Sequence, residues 1–143
     1  MRRGVRFAMA AVALAYAVAV LLPWVPRRVE EISLTPLSGV EASWALWLSF
    51  FTGLLLFAWD LGFALKGSPA PGADRIGAVL AGTTAGLAIV GVLEARSTTL
   101  PGLHEDHSLA YGAWLAVPLI ALLIVGACAQ ATLSIKASLL APK

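Results

Sequence analysis

Cysteine occurs once in this chain, at Cys128, and histidine twice, at His104 and His107. A single cysteine allows no intramolecular disulfide and no cysteine pair for quinone-linked thiol chemistry. Two histidines confined to a polar loop supply no axial ligands for a haem inside apolar helices. Charge is scarce as well: 13% of the 143 residues are charged and 59% are hydrophobic, and the mean hydropathy is +0.86. That balance lies outside the range of soluble domains and describes an integral membrane protein. A pI near 9.0 would suit a nucleic-acid binder, but the basic residues cluster at the ends of apolar runs, where membrane topology puts them. Catalytic constellations are missing too. Ser49 has no histidine on any apolar run to activate it, and the stretch GTTAG at 82–86 lacks the lysine of a phosphate loop. The chain is therefore expected to be non-enzymatic and to carry no cofactor.

What is present is a set of apolar runs. Residues 44–65 are almost wholly apolar over 22 positions, which at ~1.5 Å per residue reach roughly 33 Å, enough to cross a hydrocarbon core of about 30 Å. Three further runs, at about 7–23, 75–94 and 111–132, predict an all-α, four-transmembrane-helix bundle forming a single domain over 1–143. Arg2, Arg3 and Arg6 ahead of the first run resemble the n-region of a secretory signal, and Ala15-Tyr16-Ala17 resembles a cleavage motif. The segment is nevertheless expected to be retained as a span. Its Ala11, Ala15 and Ala19 form a small-residue face suited to close helix contact. Pro23, Trp24 and Pro26 end it, with Trp24 expected at the membrane interface together with Trp44 and Trp114.

Residues 25–43 read as a loop holding a short extended piece and a turn, with Ser43 as N-cap of the next span. In that span Ser49, Thr52, Gly53, Leu56 and Asp60 share one helical stripe, expected to face the bundle. Trp44, Trp47, Phe51 and Leu55 share another, expected to face lipid. The connection at 66–74, KGSPAPGAD, is a tight turn between spans. The third span is rich in small residues, and Gly82 and Gly86 form a GxxxG pair expected to face another helix. Pro118 predicts a kink in the fourth span, and 133–143 reads as a tail.

Lysine and arginine are distributed unevenly. Arg2, Arg3, Arg6, Lys66, Arg75, Lys136 and Lys143 fall on the side of both termini, and Arg27, Arg28 and Arg96 on the other. The positive-inside rule then predicts cytoplasmic termini for a multi-pass protein of the plasma membrane.

Two places could hold chemistry. Asp60 is an ionisable side chain within a span, and an intramembrane carboxyl needs a partner or a proton. Thr83, Thr84 and Gln130 lie at its depth on neighbouring spans, and Lys66 or Arg75 could snorkel toward it. His104, Glu105, Asp106 and His107 offer metal-ligand types within one turn of chain, which would need a further ligand from elsewhere. The leading expectation for function is a small accessory or assembly subunit of a larger membrane complex, or a homo-oligomer, with lipids and other membrane subunits as partners. The alternative is a small ion or solute transporter with Asp60 as coupling carboxylate. The third is metal binding at His104 and His107.

Overall fold

A computed structural model describes residues 2–29, 32–67, 71–97 and 111–140. The chain is an all-α bundle of four long helices, α1 (Arg2–Leu21), α3 (Trp44–Lys66), α4 (Pro71–Ser97) and α5 (Tyr111–Leu140). Each is long and apolar enough to cross a membrane. Between α1 and α3 lie a hairpin, β1 (Pro23–Val29) with β2 (Ile32–Ser38), and the single-turn α2 (Gly39–Ala42). The long helices alternate in direction and form a ring in the order α1, α3, α4, α5, with α5 closing against α1. Both described ends therefore lie at one end of the bundle and the hairpin at the other.

The helix boundaries follow local chemistry. Ser43 caps α3, its hydroxyl oxygen accepting from the amides of Ala45 at 3.1 Å and Leu46 at 3.4 Å. Gly67, at φ +65°, closes the same helix in the left-handed conformation that glycine adopts without steric penalty. Pro71 then opens α4, at the first helical position where its missing N–H costs nothing. Three expectations change. The piece expected as an extended segment and turn is a paired antiparallel hairpin, Val25 opposite Leu37 and Val29 opposite Ile32, with register shifts near its base. The fourth helix passes through Pro118 without a break and continues to Leu140, so most of the expected tail is helical. Trp24 is no interfacial anchor: it is fully buried at 0% exposure, and its indole N–H donates to the Ala19 carbonyl at 2.8 Å, satisfying a backbone acceptor in the last turn of α1.

Packing works by seating large side chains over glycines. Leu46 of α3 lies against Gly91 of α4, Met9 of α1 against Gly126 of α5, and Trp24 between Gly39 and Gly112. With no hydrophobic driving force between helices in lipid, such close van der Waals fits carry much of the association. The inward stripe of α3 is buried at Ser49, Gly53, Leu56 and Asp60, while Trp44, Trp47, Phe51 and Leu55 point outward.

The small-residue faces are elsewhere than expected. On α4 the packed face runs through Asp74, Gly77, Ala81, Thr84, Ala88 and Gly91, whereas Gly82 and Gly86 are exposed, with no atom of the other described elements within 4 Å of where a Cβ would stand. At about 100° per residue, Gly82 lies some 140° and Gly86 about 180° around the helix from Gly77. On α1 the packed face is Met9, Ala13, Tyr16 and Val20. Ala19 is buried, but Ala11 and Ala15 are exposed.

Candidate functional site

The buried stripes of the four helices become polar at the end of the bundle that carries the described termini. On α1 the stripe of Val20, Tyr16, Ala13 and Met9 extends one more step to Arg6, which is 2% exposed. On α4 the stripe of Ala81 and Gly77 extends to Asp74 in the first turn, 1% exposed, where the helix N-terminus favours a carboxylate. The two meet. Arg6 Nε and Nη2 both donate to Asp74 Oδ1, at 3.0 and 2.8 Å. Arg2, at the more open rim, brings Nε to 3.2 Å from Asp74 Oδ2. Arg6 also lies over the Phe63 ring, 5.5 Å from its centroid.

Asp60 of α3 and Gln130 of α5 complete the layer. Gln130 Nε2 donates to both carboxyl oxygens of Asp60 at 2.9 Å, and both residues are buried. Gly77 makes the meeting possible: a Cβ there would stand 2.9 Å from Gln130 Oε1, 3.0 Å from its Nε2 and 3.1 Å from Asp60 Oδ1. Close backbone approach, not flexibility, is what glycine provides at this position. Arg75 points away, its guanidinium donating to Ser134 at 2.9 Å and Ser138 at 2.6 Å on the helical extension of α5.

Toward the hairpin end the core carries two more polar contacts. The Tyr16 and Ser49 hydroxyls are 2.6 Å apart; with Tyr16 donating, the Ser49 proton goes to the Leu46 carbonyl at 2.9 Å. Thr84 donates to Thr52 at 2.9 Å, and the Thr52 proton reaches the Ser49 carbonyl at 3.1 Å. Beyond them Ser43 donates to Glu94. Each of these hydroxyls has a hydrogen-bond partner, as burial away from water demands.

Of the residues singled out around Asp60, then, Gln130 is its partner and Thr84 is buried but bonded to Thr52. Thr83 is exposed and faces away from the site, and neither Lys66 nor Arg75 reaches the carboxyl. His104 and His107 lie outside the described residues. Sequence reasoning missed the Arg6–Asp74 pair, since both residues look like ordinary charges at span ends. The signal was there in phase: Arg6 stands three residues before Met9 and Asp74 three before Gly77, each in step with its helix's inward stripe.

No protein-family model matches the chain, and neither a curated protein nor a solved structure is significantly similar to it.

Proposed function

We propose that this membrane protein acts by helix association, as an accessory or assembly subunit of a larger complex or as a homo-oligomer, with α4 supplying the contact. The observation that carries this reading is the outward placement of Gly82, Thr83 and Gly86, on the side of α4 opposite the face that packs its own bundle. A glycine in a helix interior costs roughly 1 kcal/mol relative to alanine. Facing lipid it returns little packing, whereas against another helix it admits close backbone contact. The plasma membrane and cytoplasmic termini belong to the same proposal, supported by the uneven distribution of lysine and arginine.

The test exploits the empty space around these positions. A variant carrying both Gly82→Leu and Gly86→Leu meets no atom of the other described elements within 4 Å at the new Cβ positions, so its fold should persist while association fails. Native mass spectrometry from mild detergent should show wild type with a second copy or a fixed partner, and the double variant alone. A wild type that is always solitary, or a double variant that assembles normally, would overturn the reading. Transport coupled at Asp60 is the rival. It requires that carboxyl to exchange protons with both membrane faces, which association does not.

A further inference from the structure

We propose that Asp60 is a proton-binding site, holding its proton at neutral pH and sharing it with Gln130 in a carboxylic acid–amide pair. The inference is independent of the association reading above. It begins from two deficits at one point. Asp60 is 1% exposed within a membrane-spanning helix, and among the described residues no cation stands within ion-pair distance of it. Its hydrogen-bond donor is the Gln130 amide nitrogen, which lies at the same 2.9 Å from both of its oxygens. Beside it, Gln130 Oε1 is buried with no donor directed at it. A carboxylate can only accept, so an ionised Asp60 can do nothing for that carbonyl.

One proton removes both deficits. A neutral carboxyl offers one O–H and one C=O, and a primary amide offers N–H and C=O in a matching plane. Rotation about the last torsion of Gln130, which is broad for an sp³–sp² bond, pairs Gln130 N–H with the Asp60 carbonyl and Asp60 O–H with Gln130 Oε1. No other group has to move into the site, because Gly77 already holds the amide and carboxyl against one small volume. The step is a simple acid–base one: a carboxylate oxygen takes a proton from water and nothing is oxidised or reduced.

The charged groups around the site agree. Arg6 from α1 and Asp74 from α4 carry opposite charges. They are bound to each other, and Arg2 at the rim is bound to Asp74 as well. Gln130 from α5 is uncharged, and Arg75 of α4 is turned to Ser134 and Ser138. The layer therefore already contains a compensated carboxylate, and Asp60 stands outside that ion pair.

Infrared spectroscopy of the full chain in lipid nanodiscs, with aspartate labelled at the side-chain carboxyl by carbon-13, reads the proton directly. Wild type at neutral pH should show an isotope-shifted C=O band of a protonated carboxyl that is lost in Asp60→Asn and bleaches as the medium is made strongly alkaline. Gln130→Leu keeps the acid and removes its partner, so the band should persist and move to higher frequency. That second variant decides the matter if Asp60→Asn does not fold. Absence of a protonated-carboxyl band in wild type, or a band indifferent to Gln130→Leu, overturns the proposal.

Discussion

Breaking the Arg6–Asp74 pair should be among the most damaging single changes in the bundle, and the structure allows its size to be worked out. Two charge-assisted hydrogen bonds, at 3.0 and 2.8 Å, end on one oxygen of Asp74. At about 1.5–3 kcal/mol each they sum to roughly 3–6 kcal/mol, in line with the ~3–5 kcal/mol lost when one partner of a buried pair is removed. Asp74→Ala takes two charge-assisted hydrogen bonds from the buried Arg6 guanidinium, and Arg6→Met leaves Asp74 to the rim residue Arg2. Each single variant should lose about 3–5 kcal/mol. The double variant removes both charges and should be more stable than the sum of the singles implies, by ~2 kcal/mol or more. Arg2→Ala is the control: that side chain is 27% exposed, and a partly solvated pair contributes about 0–1 kcal/mol. Unfolding by dodecyl sulfate in mixed micelles, followed by circular dichroism, gives all four values. Additive losses, or singles costing no more than Arg2→Ala, would refute the claim that the two charges depend on each other.

Two other outcomes follow from the packing. Gly91→Ala should destabilise by about 1–3 kcal/mol, since its new Cβ collides with the Leu46 side chain and comes within 3.1 Å of the Leu46 amide nitrogen; Gly86→Ala should be neutral or slightly stabilising in the same unfolding assay, and equal effects would contradict the assignment of faces. Brominated lipids should quench Trp44 and Trp114, which are 63% and 66% exposed, and leave Trp24 bright; single-tryptophan variants would report this, and strong quenching of Trp24 would show that it is not enclosed.

How much of this was legible in the sequence depends on which property each residue reports. Span number and the inward stripe of α3 were legible because apolar length and helical phase are properties of one segment alone. The partner of Asp60 was legible in part: antiparallel neighbours share depth, which brought forward Gln130, Thr83 and Thr84. Depth does not determine rotation, so Thr83, one residue from the buried Thr84, turns outward. The same blindness hid which glycines pack the bundle itself. A helix with Gly77, Gly82, Gly86 and Gly91 has small residues on two sides, and the motif Gly82–Gly86 is a local pattern. What selects Gly77 and Gly91 for the bundle is the presence of Asp60, Gln130 and Leu46 on other helices. Trp24 was misread for the opposite reason, because its position at a span end is the ordinary place for an interfacial indole. Only the return of Gly39 and Gly112 around it makes a pocket there.

The polar layer and the glycine notches answer one physical problem. Between apolar helices in lipid, sliding by a turn exchanges one set of methyl contacts for another at little cost, so packing alone specifies axial register weakly. A layer to which α1, α3, α4 and α5 each contribute one side chain, Arg6, Asp60, Asp74 and Gln130, removes that freedom. A slip of any helix by one turn of ~5.4 Å would strand a charge or an amide in hydrocarbon. Leu46 over Gly91 and Met9 over Gly126 then fix rotation, because a large side chain fits the neighbouring helix where a Cβ is missing. Register held at one end and rotation held along the length define a single bundle from the inward faces of the four helices. Gly82 and Gly86 contribute to neither, so their substitution should leave the stability of the chain itself nearly unchanged, and on the association proposal it should change contact with a further helix.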